Sequence, residues 1–178
     1  MFVAVWPNES TRERLSGLDL GFVPGLRVVG PEEWHITLRF LGEVDDGQLT
    51  ALVIALGSAA ASMSGAFRCR LGPSTAWFSG DRVLQIPAEG LDDLAAGVRS
   101  RTLEVVPEGI DRPPPFQGHL TLARSKGRRV DASGRGRAAL AGIPFEAAFD
   151  IGSFDLVGSE RSLAGPRYTT LAKVTLPE

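Results

Sequence analysis

Only 2 histidines occur among the 178 residues of this chain, and both open the same four-residue phrase: His35-Ile36-Thr37-Leu38 and His119-Leu120-Thr121-Leu122. Along an extended strand successive side chains point to opposite faces. His and Thr of each phrase therefore share one face, while Ile36, Leu38, Leu120 and Leu122 share the other. Each phrase reads as a half-buried strand that presents an imidazole and a hydroxyl above an apolar floor. A single copy reads equally well as a structural strand whose outer face tolerates His and Thr. Two copies that use the whole histidine supply favour a joint purpose.

The context of the phrase repeats too. Phe2 to Trp6 reads as a buried-type strand stopped by Pro7, and Asn8 or Ser10 caps a helix running to about residue 19. A turn at Gly21, Pro24 and Gly25 and a strand over 26–29 lead to the first His-x-Thr strand. Asp45 or Asp46 then caps a long helix with Leu49, Leu52, Val53 and Leu56 on its inner side, and strands follow at about 66–71 and 75–79. In the second half Val83 to Pro87 is a strand, and Leu91, Leu94, Ala95, Val98 and Leu103 keep a helical period. A Pro-rich run from Asp111 to Gly118 delivers the chain to the second phrase. A short helix near 132–140 and strands at about 145–158 and 167–176 complete the pattern. This predicts one domain over 1–178 built by internal duplication. Two α+β lobes, about 1–80 and 81–178, are related by an approximate two-fold with a seam at Gly80-Asp81. Equivalent strands then meet across a groove and bring His35 and His119 together; the alternative leaves them on remote surfaces.

Composition narrows the classes. With 43% hydrophobic and 22% charged residues, the chain has the balance of a soluble globular protein. A net charge of −2 argues against a cationic nucleic-acid coat, yet Arg124, Lys126, Arg128, Arg129, Arg135 and Arg137 crowd together opposed only by Asp131. That run is either a basic patch or a solvated surface segment. Cys69 is alone, so no intrachain disulfide forms, and the alternation in Phe67-Arg68-Cys69-Arg70 makes it a small core residue. The N-terminal run reads as a strand and not a signal peptide. No stretch approaches the roughly 20 apolar residues a membrane span needs. A cytoplasmic monomer without membrane contact is expected.

The chemistry follows from residue type. An imidazole has an unperturbed pKa of about 6.5, so one copy can be neutral while another is protonated near pH 7. The pair can then remove a proton from water and give one to a leaving oxygen. Thr37 and Thr121 suit hydrogen bonds to phosphate oxygens, and Arg124 adds a fixed charge. Strand alternation places Arg124 on the face away from His119 and Thr121, so it reaches the groove only where the strand ends or bulges. Two histidines in separate elements lack zinc-ligand spacing. Gly134 to Ala139 imitates a dinucleotide loop with no strand before it, there is no P-loop, and Asp45 and Asp46 are helix caps. No metal and no cofactor are expected. Trp77, Phe78 and Phe116 serve either as stacking platforms for a base or as core.

Trp34-His35-Ile36-Thr37-Leu38-Arg39-Phe40-Leu41-Gly42 and Pro115-Phe116-Gln117-Gly118-His119-Leu120-Thr121-Leu122-Ala123-Arg124 resemble the two signature motifs of the 2H phosphoesterase superfamily. They are most similar to those of the RNA 2′,3′-cyclic phosphodiesterases, also called 2′–5′ RNA ligases, and the resemblance covers nearly the whole chain. It implies a bilobal α+β fold with two antiparallel sheets around a central groove, helices outside, and no metal or cofactor. It makes His35 the proton donor to the leaving 3′ oxygen and His119 the acceptor that activates water. Thr37, Thr121 and Arg124 bind the phosphate of an RNA or nucleotide 2′,3′-cyclic end, which leaves as a 2′-phosphomonoester; the reverse reaction is ligation to a 5′-hydroxyl. Gly118 departs from the Pro often found before the second His, which is expected to loosen the approach to that strand. Two other readings stay open: a non-catalytic RNA-end or nucleotide-binding module, and a phosphodiesterase for another small cyclic phosphate.

Overall fold

The computed structural model describes residues 1–22, 24–78, 82–108, 115–125, 138–162 and 165–177. The proposed seam at Gly80-Asp81, the basic run after Arg124, most of the Gly134–Ala139 loop and most of the helix expected near 132–140 lie outside the described residues.

Strand β1 (Phe2–Val5) is apolar on both faces and ends at Pro7. Helix α1 (Glu9–Ser16) starts directly afterwards, with Asn8 Oδ1 accepting the Thr11 amide at 3.0 Å; it stops short of the expected residue 19, where Gly17 caps it. Short β2 (Leu26–Val28) precedes β3 (Ile36–Phe40), the first His-x-Thr strand. Helix α2 (Asp46–Ala61) opens with a reciprocal cap: Asp45 Oδ1 accepts from the Gln48 amide at 2.8 Å, and Gln48 Oε1 accepts from the Asp45 amide at 3.1 Å. Strands β4 (Phe67–Leu71), β5 (Ala76–Phe78) and β6 (Val83–Glu89), helix α3 (Asp92–Thr102) and β7 (His119–Ser125) follow. The chain closes with β8 (Ala147–Ile151), β9 (Ser153–Ser162) and β10 (Gly165–Thr175). No described helix is long and apolar enough to cross a membrane.

The α+β architecture is the expected one. Strands from the two halves join edge to edge through β3 and β7 into a curled antiparallel sheet of order β10-β9-β1-β3-β7-β6-β4-β8, with β2 added to β7 and β5 to β6. One face is the main core. Val3, Val5, Ile36, Leu84, Ile86 and Leu120 pack there with Leu52 and Leu56 of α2, Leu94 and Val98 of α3, and Cys69. Arg39 on β3 reaches α3, donating to the Thr102 hydroxyl and the Val106 carbonyl. That tether holds the first phrase against the helical layer. The other face carries a smaller cluster of Phe2, Ala4 and Val157 with Trp6 and Tyr168.

Pairing along the two phrases follows one plan. Ala4 lies opposite Thr37 and Val3 opposite Arg39, so Leu38 is an extra residue in β3. Gln85 lies opposite Thr121 and Leu84 opposite Ala123, so Leu122 is the extra residue in β7. Each phrase thus carries a bulge at its fourth position, and each bulge reverses the facing of the residues beyond it.

Candidate active site

Strands β3 and β7 meet at a single pair, Ile36 opposite Leu120, both fully buried. Continuing this antiparallel register by one residue sets His35 across from Thr121 and Thr37 across from His119, all four on the face away from the main core. The structure therefore brings the four residues of the two phrases into one cross-strand square. Two β-strands lie only about 5 Å apart, which is the scale of a single phosphoryl group.

Local geometry sets the tautomers. His35 Nδ1 lies 2.6 Å from the Glu33 carbonyl and His119 Nδ1 lies 2.8 Å from the Gln117 carbonyl. A carbonyl only accepts, so each Nδ1 carries a hydrogen and each Nε2 is left to take or give a proton. In both cases the acceptor sits two residues before the histidine. Both rings also stack on a phenylalanine. Phe2 lies 4.8 Å from His35 at 23°, and Phe78 lies 4.9 Å from His119 at 29°.

The symmetry stops at the next layer. His35 also meets Tyr168 edge-on at 5.2 Å and Trp6 at 5.5 Å. Trp6 is held by its Nε1 donating to Asp155 Oδ2 at 3.0 Å, and the Thr170 hydroxyl is 3.2 Å from the same oxygen. This enclosure lowers the His35 pKa to about 4, chiefly by desolvation, with Arg124 and His119 adding unfavourable charge against the raising effect of the hydrogen bond His35 donates to the Glu33 carbonyl. In the free protein His35 is accordingly neutral at pH 7.

Arg124 does reach the groove. The bulge at Leu122 reverses the alternation, and Arg124 Nη2 comes within 3.5 Å of Thr121 Oγ1. Its cross-strand neighbour Arg27 is occupied by Glu33, with contacts of 2.6 and 2.9 Å. Among the described residues no carboxylate pairs with Arg124, so its charge faces the groove uncompensated.

Of the aromatic candidates, Trp77 and Phe116 pack against the main core, and Phe78 supports His119. Gly118 does not loosen its strand. The Ala88 amide donates to the Gly118 carbonyl at 2.9 Å, and a Cβ at Gly118 would lie 2.4 Å from the Ala88 oxygen. Close backbone approach fixes the entry to β7 and requires glycine there. Phe2, Trp6, Tyr168 and Gln85 belong to the site and were not singled out from the sequence. The uniformly apolar β1 hid which of its residues face the groove, and Tyr168 enters through the last strand. The described concavities of about 520 Å³, one by Arg70 and Glu146 and one by Leu15 and Trp34, lie apart from these groups. Among the described residues no three His, Cys, Asp or Glu side chains gather as a metal-ligand set.

An open sheet face with two Nε2-free imidazoles, two hydroxyls and a guanidinium is the layout of a phosphoester-handling site. Comparison with known proteins points the same way. The profile of the family LigT like Phosphoesterase matches residues 5–72. An RNA 2′,3′-cyclic phosphodiesterase of Thermus thermophilus is 33% identical over 99% of this chain and 89% of its own length. The crystal structure of TT0787, also from Thermus thermophilus, superposes with a TM-score of 0.76 at 31% identity, covering 98% of this chain and 96% of that one. Escherichia coli LigT complexed with 3′-AMP gives a TM-score of 0.73 at 25% identity, covering 99% and 97%. The chain belongs to the LigT-like phosphoesterases, in the family of the RNA 2′,3′-cyclic phosphodiesterases.

Proposed function

We propose that this protein hydrolyses the 2′,3′-cyclic phosphate end of RNA or a nucleotide to a 2′-phosphomonoester, without a metal ion. The observation that carries the reading is the cross-strand square of His35, Thr37, His119 and Thr121, with both Nε2 atoms unclaimed among the described residues. The cyclic-phosphodiesterase name of the Thermus thermophilus relative and the 3′-AMP bound to Escherichia coli LigT support it.

In this mechanism Thr37, Thr121 and Arg124 hold the non-bridging phosphate oxygens. His119 Nε2 takes a proton from water as its oxygen bonds to phosphorus. The bond from phosphorus to the 3′ oxygen breaks, and His35 Nε2 gives that oxygen a proton. His35 must be protonated first, and the bound phosphate anion supplies the charge that favours this. A site that holds imidazolium reluctantly makes it a strong acid, which suits a donor. With a 5′-hydroxyl in place of water as the nucleophile, the same groups join it to the cyclic end through a 2′–5′ phosphodiester as the bond to the 3′ oxygen breaks. The repeated bulges and paired stacks support the view that the two halves of one domain arose by duplication.

A short RNA ending in 2′,3′-cyclic phosphate, incubated with and without EDTA, tests this. Formation of the 2′-phosphate isomer at equal rates is expected. Binding without turnover, or abolition by EDTA, overturns it. A p-nitrophenyl phosphodiester separates the roles, because its leaving group needs no acid. His35→Ala is expected to retain far more activity on it than His119→Ala.

A further inference from the structure

Gln85 is the residue of the groove that neither phrase contains. It is 7% exposed, and its Oε1 has no hydrogen-bond partner among the described residues. On β6 its neighbours Leu84 and Ile86 are buried in the main core, so alternation turns Gln85 to the groove face. There it lies opposite Thr121 on one side and Ala76 on the other, two residues before Pro87, which lies opposite His119.

The other half of the molecule shows what this position needs for folding alone. Its counterpart is Ala4, opposite Thr37 beside an identical bulge. A methyl group satisfies the backbone there. A buried amide left unpaired lowers stability, so its presence in one half only, the His119 half, points to chemistry and not to packing.

We propose that Gln85 is a further catalytic residue: its Oε1 accepts a hydrogen bond from the attacking water and fixes that water against His119. Water brings two hydrogens. One passes to His119 Nε2, and the other stays on the oxygen that bonds to phosphorus. That second O–H needs an acceptor, because Thr121 and Arg124 are turned to the phosphate as donors. Gln85 is the uncommitted acceptor on the same wall. An alcohol brings a single hydroxyl hydrogen, which goes to His119, and has nothing to offer Gln85. The residue therefore favours water over alcohols as the nucleophile.

This inference rests on the cyclic-phosphodiesterase reading, and the experiment separates the two. Wild type, Gln85→Leu and Gln85→Ala are assayed on an RNA 2′,3′-cyclic phosphate in aqueous methanol, with 2′-phosphate and methyl 2′-phosphodiester quantified separately. The alanine variant copies a residue the fold already accepts at the matching position. Hydrolysis is expected to fall tenfold or more at unchanged KM while the methyl-ester share rises severalfold. Hydrolysis within twofold of wild type, or a methyl-ester share that does not rise, overturns the role of Gln85 and leaves the phosphodiesterase reading standing. Wild-type protein that leaves the cyclic end intact overturns both.

Discussion

His35 lies face to face with Phe2, ring centroids 4.8 Å apart, and Tyr168, edge-on at 5.2 Å, closes the same imidazole off from water.

The His35 pKa is about 4 when folded and about 6.5 when unfolded. Between these values the unfolded chain binds a proton that the folded chain refuses. Stability therefore rises with pH across that window, is fully present above pH 6.5, and is lost as pH falls toward 4. The contribution is roughly 3 kcal/mol at the outside. Urea unfolding of wild type and His35→Gln from pH 4 to 7 is expected to show the variant gaining on wild type as the pH drops. Parallel curves would contradict the assignment.

Desolvation is the largest cause of that shift, so opening the aromatic enclosure is expected to reverse it. In Phe2→Leu or Tyr168→Ala the His35 ring resonances titrate at higher pH than in wild type. The break that His35 titration puts in the pH profile of kcat/KM, expected near pH 4 in wild type, moves up with them. Movement of one without the other would separate this histidine from the catalytic limb.

Replacing His35 or His119 with Ala is expected to lower kcat for cyclic-phosphate hydrolysis by about 10²–10⁴ each. Removal of both costs less than the product of the single losses, because the two act in one proton relay. Thr37→Ala and Thr121→Ala lose less, since each removes a single neutral hydrogen bond. Single-turnover rates of the five proteins check the order.

Arg124 carries the groove's uncompensated charge, and a charged hydrogen bond to phosphate is worth about 1.5–3 kcal/mol. Arg124→Ala is expected to weaken product 2′-nucleotide binding by roughly 10- to 100-fold and to flatten its salt dependence. Arg124→Lys restores charge without the planar fork and recovers only part. Calorimetric titration at two ionic strengths measures both effects.

The tether from Arg39 to Thr102 and Val106 is structural. Arg39→Met is expected to cost roughly 2 kcal/mol in urea unfolding, the lost charged hydrogen bonds being partly offset by removal of a buried charge. Activity per folded molecule stays near wild type.

Much of this was legible in the linear chain because it rests on short-range rules. Alternation with a period of two is a property of the strand itself, so a His-x-Thr phrase over an apolar floor announces both its strand and its face. The caps at Asn8 and Asp45 are equally local. Repetition of the phrase in a chain without spare histidines then indicates that the copies act together. Other features depend on which strand lies next to which. The face taken by Arg124 is set by a bulge that exists only against β6, so alternation alone puts the residue on the wrong side. The enclosure of His35 comes from β1 and β10, at opposite ends of the chain. Gln85 looks like any polar residue in a strand until Thr121 is seen across from it. Residue identities and strand periodicity supplied the reactive groups; the non-local pairing of strands, which no local window contains, decided their protonation, their partners and the water they can hold.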